Sequence, residues 1–187
     1  MTFSAVLLAG GESRRMGRDK ATMLFRGLPL WKNQLALLEQ LSTAQIFVSA
    51  RTDPPWRPRD IEFVGDDQPS RGPLSAIAAT LAKSRSDHLL ALAIDMPFMS
   101  ANYLHQLCEF ARAGRGVVPV IDDRAEPLAA IYPRAVNVDL AAALSGNDFS
   151  LQPIIQSLIG AGKMRSLVVS PADRPLFRNL NEPDDLD

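Results

Sequence analysis

Short apolar runs alternate along this chain with longer stretches in which apolar residues recur every three or four positions. Residues 3–9, 45–49, 61–64, 88–94 and 116–120 are the short runs and read as strands. Residues 31–41, with Leu35, Leu38 and Leu41 along one side, and residues 74–82 and 101–112 carry helical spacing. The run 88–94 is almost entirely apolar, as a strand covered on both faces must be; a strand with one wet face alternates instead. Strands of this kind separated by helices predict an α/β fold in three layers, a mostly parallel sheet between helices.

After Val120 the rhythm changes. Asp122-Asp123-Arg124 interrupts the pattern, and residues 127–132 read as a strand ended by Pro133. Residues 135–144 and 151–159 read as helices, 166–169 as a strand and 183–186 as a final turn. This second half is expected to supply one antiparallel strand and a lobe that closes over a site. No Pro-, Gly- or Ser-rich linker and no repeat divides the chain. A single domain over residues 1–187 is therefore expected, in two halves, 1–120 and 121–187.

Charge narrows the partners. With 20 Lys+Arg against 21 Asp+Glu, the formal net charge is -1, so any positive charge that matters must be local. Nothing in the composition draws the chain to nucleic acid or to a membrane. The N-terminal apolar run is too short for a span and has no basic segment before it, which predicts a cytoplasmic protein. The single cysteine, Cys108, excludes an intrachain disulfide framework and reads as a packed core thiol.

Local positive charge is found directly after the first strand, in Gly10-Gly11-Glu12-Ser13-Arg14-Arg15-Met16-Gly17-Arg18-Asp19-Lys20. Glycines after a buried strand let consecutive N–H groups converge on an anion. Arg15 offers a fork for phosphoryl oxygens and Lys20 a compact charge. The loop is not a Walker A loop, because no Gly-Lys-Ser/Thr ends it, and its spacing breaks the dinucleotide G-x-G-x-x-G pattern. It predicts a grip on a nucleoside triphosphate.

A triphosphate brings Mg²⁺, and Mg²⁺ asks for carboxylates. Asp95 follows the buried run 88–94 at its carboxyl end, where a ligand of an open α/β sheet sits. Its alternative role is to cap the helix that starts near Ser100, although Ser100 is itself a good cap. Asp66 and Asp67 follow the third strand and precede Gly72-Pro73-Leu74, where Gly-Pro suits a turn into a helix with proline at its first position. Either aspartate is a candidate base or sugar contact. In the tail, Asn181-Glu182-Pro183 resembles a helix cap, and either Asn179 or Asn181 turns toward a ligand. His88 and His105 have no partner at zinc-ligand spacing. Trp31 and Trp56 are not interleaved with basic residues as a nucleic-acid platform would be, and residues 57–60 read as a solvated connector.

Taken together, these blocks resemble a known family. Leu8-Ala9-Gly10-Gly11-x-Ser13-x-Arg15-Met16-Gly17-x-Asp19-Lys20 is similar to the signature of the molybdenum cofactor guanylyltransferases, the MobA family. The resemblance continues through Gly27-Leu28-Pro29-Leu30, Asp66 with Gly72-Pro73-Leu74, Asp95-Met96-Pro97, Glu126-Pro127-Leu128-Ala129 and Asn179-Leu180-Asn181-Glu182-Pro183. It implies a Rossmann-like nucleotidyltransferase fold and transfer of GMP from GTP to the molybdopterin form of molybdenum cofactor, with release of pyrophosphate. It implies nucleotide contacts at Leu8, Ala9, Gly10, Gly11, Ser13, Lys20, Ser49, Asp66, Gly72, Pro73, Leu74 and Asp95. Arg15, Lys20 and Asp95 would serve catalysis, and Asp95, with Asn181 as a second candidate, would bind Mg²⁺.

Two positions depart from the family pattern: Ser49 stands where Asn is frequent, and Leu28 where Lys or Arg is usual. Related cytidylyltransferases tend to carry Ala in place of Gly10, so the Gly10-Gly11 pair resembles the guanine type. CTP, or a sugar or polyol phosphate acceptor, is the alternative, and a nucleotide-binding scaffold in molybdoenzyme maturation is the non-enzymatic one. The implied mechanism is attack by a terminal phosphate oxygen of the pterin cofactor on the α-phosphorus of GTP, with no protein nucleophile. The pterin side is expected over residues 119–124 and 126–132. Arg124 and Arg165 are anion contacts or surface charges. A monomer is expected, working with cofactor-biosynthesis and acceptor molybdoenzyme proteins.

Overall fold

A computed structural model of the protein describes residues 1–10, 19–65 and 71–180. Its first half contains β1 (Phe3–Leu8), β2 (Leu24–Phe25), β3 (Leu28–Pro29), α1 (Leu30–Glu39), β4 (Gln45–Ala50), β5 (Glu62–Gly65), α2 (Pro73–Lys83), β6 (His88–Ala93), α3 (Ala101–Phe110) and β7 (Gly116–Ile121). The second half adds β8 (Arg124–Ala125), β9 (Ala129–Pro133), α4 (Asn137–Leu144), α5 (Leu151–Gly160) and β10 (Met164–Val168). The main sheet has the order β10-β7-β9-β6-β1-β4-β5, with β8 paired to β7.

The sheet is mainly parallel, as the near-continuous apolar strands predict. β6 is buried along its whole length because it lies between β1 and β9 with a helical layer over each face. Alternate residues of β1 face different cores. Ala5 and Leu7 pack with Leu35 and Leu38 of α1 and Leu104 and Leu107 of α3. Val6 and Leu8 pack with Ile77 and Leu81 of α2, Leu140 of α4 and Ile155 of α5. Three layers result.

The one long antiparallel strand is β9, which opposes both β6 and β7. Its direction follows from a turn. Asp122 and Asp123 both have positive φ, 48° and 63°, and fold β7 back into β8. Residues 126–128 then carry the chain to the carboxyl edge of β6, so β9 enters the sheet from that edge and must run against its neighbour.

Several predicted boundaries shift. The strand expected at 127–132 begins at Ala129, and the one expected at 166–169 occupies Met164–Val168. The helix expected over 101–112 stops at Phe110, and the Ser100 hydroxyl caps its start by accepting from the Tyr103 N–H at 3.2 Å. Ser100, not Asp95, therefore fills the capping role. The β2–β3 hairpin was not foreseen. The predicted turn at 183–186 lies outside the described residues. Cys108 packs against the α1/α3 core, where burial pushes its thiol pKa up to about 11, as a core thiol requires.

Candidate functional site

The register of the sheet builds the site. Leu8 is level with Ser49 on one side and Ala93 on the other, so three parallel strands end side by side. The Ala9 N–H donates to the Ser49 carbonyl at 2.8 Å, and the Ile94 N–H donates to the Leu8 carbonyl at 3.0 Å. These bonds pin the exits of β1 and β6 together. A cleft of about 250 Å³ opens there, lined by Leu8, Ala9, Gly10, Lys20, Pro73 and Asp95, all predicted from the sequence. Leu128, from the segment 126–132 expected on the acceptor side, also lines it, and Asp19, Ala93 and Ile94, which were not predicted as site residues, complete the lining.

Lys20 begins a short 3-10 turn, Lys20–Thr22, that Asp19 caps by accepting from the Ala21 N–H at 3.0 Å. The lysine ammonium donates to the Leu180 carbonyl at 2.7 Å and stands 3.5 Å from Oδ2 of Asp95. Asp95 is the second residue beyond β6, and its own carbonyl accepts from the Leu180 N–H at 2.9 Å. The side chains of Lys20 and Asp95 retain 21% and 27% exposure, which leaves both open to a ligand while shielding their attraction from bulk water. Behind them, fully buried Gln34 on α1 donates to the Met96 carbonyl at 2.7 Å and fixes the turn that follows Asp95.

Not every predicted contact lines the cleft. Ser49 is buried, and it meets the site through the backbone bond to Ala9. Leu74 is fully buried in the core beneath α2, so its side chain anchors the helix instead of facing a ligand. Gly72 precedes that helix with φ 67°, a conformation that glycine adopts without strain, and Pro73 takes the first helical position as expected. Gly11, Ser13, Arg15, Asp66, Asp67 and Asn181 lie outside the described residues. Asn179 is exposed beside Leu180.

On the second-half side, β9 begins at the same edge as the cleft. Burial pushes the Glu126 carboxyl pKa up, against the pull of Arg124. Gln152 of α5 brackets β8, accepting from the Ala125 N–H at 3.2 Å and donating to the Ala125 carbonyl at 2.7 Å. Arg124 is exposed, and Arg165 lays its guanidinium over the Phe110 ring at 5.9 Å. His88 is a core histidine: Nε2 lies 3.0 Å from the Arg112 carbonyl, its ring stacks on Phe3 at 5.3 Å, and its buried Nδ1 has no hydrogen-bond partner.

Among the described residues, no three His, Cys, Asp or Glu side chains cluster as a closed metal cage. The Asp95 carboxylate in this open cleft does fit Mg²⁺, which keeps several waters and takes one or two carboxylates together with substrate phosphates.

Sequence reasoning missed the Leu180 carbonyl, Gln34 and Asp19 as parts of this arrangement. Asp19 left a local signal, its place next to Lys20 in the loop, whereas Leu180 was marked only as part of the block at 179–183 and Gln34 not at all. The other two act across 160 and 62 residues of chain.

Comparison with known proteins places this geometry. Residues 5–161 match the MobA-like NTP transferase domain. A probable molybdenum cofactor guanylyltransferase of Opitutus terrae is 34% identical over 188 residues, 99% of this chain and 93% of that protein. The molybdenum cofactor guanylyltransferase of Pseudomonas fluorescens is also 34% identical, over 96% and 90%. The crystal structure of molybdopterin-guanine dinucleotide biosynthesis protein A from Archaeoglobus fulgidus superposes with a TM-score of 0.74 at 25% identity, covering 98% of this chain and 94% of that one. With the cleft at the carboxyl edge of the sheet and a family match over most of its length, the chain belongs to the MobA-like NTP transferases, a family of nucleotidyltransferases.

Proposed function

We propose that this protein transfers GMP from GTP to the molybdopterin form of molybdenum cofactor, giving the guanine dinucleotide form and pyrophosphate. The observation that carries the proposal is the convergence of Gly10, Lys20 and Asp95 on one cleft, in a chain whose relatives are named for this reaction. A terminal phosphate oxygen of the acceptor forms a bond to the α-phosphorus of GTP as the bond from that phosphorus to the pyrophosphate oxygen breaks. The electron pair leaves with pyrophosphate. No protein nucleophile is needed, so catalysis rests on position and charge.

Lys20 exchanges the Leu180 carbonyl and the Asp95 carboxylate for phosphoryl oxygens, and Arg15 adds a second cation. Leu8, Ala9, Gly10, Gly11 and Ser13 line the nucleotide with backbone. Asp66 contacts the nucleotide as well. Asp95 would hold Mg²⁺, which supplies charge neutralisation at the phosphates when bound; Asn181 is a second candidate for that ion. The acceptor lies over the β7–β9 side, where Leu128 lines the cleft. The protein is proposed to act in the cytoplasm as a monomer.

Pyrophosphate release tests the reading when GTP and CTP are each offered with molybdopterin and with a polyol phosphate. Release only with GTP and the pterin acceptor is expected. Equal release with CTP would overturn the base assignment, and turnover with the polyol phosphate would overturn the acceptor.

A further inference from the structure

The chain contains two tryptophans, and both stand beside the Lys20 turn. Trp31 on α1 and Trp56 in the loop after β4 stack with ring centroids 5.5 Å apart and planes 15° apart. Nε1 of Trp56 donates to Oδ2 of Asp19 at 3.0 Å. The other oxygen of the same carboxylate, Oδ1, caps the turn through the Ala21 N–H at 3.0 Å. One carboxylate thus spans the indole and the turn that carries Lys20.

The loop that presents Trp56 is itself braced. Arg57 grips Asp53 through two bonds of 2.7 Å each and donates to the carbonyls of Pro58 and Ile61. The ring of Trp56 is partly buried and packs against the α1/α3 core with one face, while its polar edge is spent on Asp19. A hydrogen bond to a carboxylate is among the stronger ones and has a narrow geometry. A lysine reaches its ligand on four rotatable bonds, so the position of its backbone decides which oxygens its ammonium meets. Misplacement of a charged group by about 1 Å can cost two orders of magnitude in rate.

We propose that Trp56 is a positioning residue for Lys20: its indole N–H fixes Asp19, and Asp19 fixes the turn that aims the lysine at the nucleotide triphosphate. The proposal rests on Lys20 as a triphosphate ligand.

Trp56→Phe keeps a ring for Trp31 to stack on and removes only the N–H. Binding of GTP with Mg²⁺, followed by calorimetry, is compared for the wild type, Trp56→Phe, Lys20→Ala and the double variant, with a thermal midpoint for each. Trp56→Phe is expected to weaken GTP about tenfold at a near-native midpoint, the low end of what loss of one charge-assisted bond costs. On the Lys20→Ala background it should weaken GTP no further, because the lysine it positions is gone. A merely structural tryptophan would cost the same on both backgrounds, and that outcome overturns the proposal. So does wild-type affinity in Trp56→Phe while Lys20→Ala weakens binding; the reading of Lys20 then stands alone. Unchanged GTP affinity in Lys20→Ala, or no GTP binding by the wild type, overturns both together. If Trp56→Phe loses its fold, Asp19→Asn carries the same test, since it keeps the cap on Ala21 and turns an amide donor toward the indole N–H.

Discussion

Lys20 and Asp95 are held 3.5 Å apart by partners that a substrate could displace, a resting state in which each shields the other. Removing either leaves charge developing on the phosphates without its counterpart. Lys20→Ala and Asp95→Asn are each expected to reduce turnover about 10²-fold or more in a pyrophosphate-release assay, at a near-native melting temperature. Both residues were legible in the sequence because a glycine-rich loop and the end of an apolar strand are local signals. A second residue makes a prediction about pH. His88 is buried, and desolvation pushes its pKa below the ordinary value despite backbone carbonyls that favour its charged form. The unfolded chain therefore binds a proton at higher pH than the folded one. Sign and window follow: above the unfolded pKa both states are neutral, and stability is lost as pH falls through about 6.5 toward the lower folded value. Denaturant unfolding between pH 7.5 and 5.5 should show this loss, and His88→Gln should flatten it.

At the scale of elements, β1, β4 and β6 were readable because each is a largely apolar run of five to seven residues. The strands β2, β3 and β8 were not, since two-residue strands have no periodicity to read. The direction of β9 was not fixed by its composition either; it is set by the turn at Asp122 and Asp123 and by the link at residues 126–128. Close approach of β7 to β9 adds another constraint that no pattern announces. A Cβ on Gly116 would lie 2.1 Å from the Ile131 carbonyl oxygen and 2.7 Å from the Pro133 ring. Neither neighbour is a flexible side-chain end, so the strands must separate. Gly116→Ala is expected to cost about 3 kcal/mol, at the upper end of ordinary overpacking penalties. A loss on the order of 5–10 °C in thermal midpoint would be read for a chain of this size. A midpoint within a degree of the wild type would show that β7 can shift freely against β9.

The whole molecule joins its two halves through residues 169–180. Val169 extends the β10 pairing by donating to the Val120 carbonyl at 3.0 Å, and Arg174 grips Asp122 at 2.6 and 3.1 Å. Phe177 meets Tyr103 edge-on at 5.3 Å, and Leu180 then bonds Asp95 and Lys20. One segment thus touches the β7–β8 hairpin and both charged groups of the cleft. The sequence marked its end as a motif but could not show what it bonds, because each contact closes over a long stretch of chain. Its ties differ in kind, which makes them separable. The Arg174–Asp122 pair is exposed, with 47% and 71% of the side chains accessible, so Arg174→Ala is expected to cost less than about 1 kcal/mol of stability. The Leu180 N–H lies in a closed contact with the Asp95 carbonyl, and proline at that position would remove the donor. Leu180→Pro is expected to lower turnover about tenfold or more, since the backbone that orients Asp95 and receives Lys20 would be released. Leu180→Met keeps the N–H and roughly the volume, and turnover near that of the wild type is expected. Equal turnover in Leu180→Pro and Leu180→Met would mean that this segment covers the site without orienting its charges.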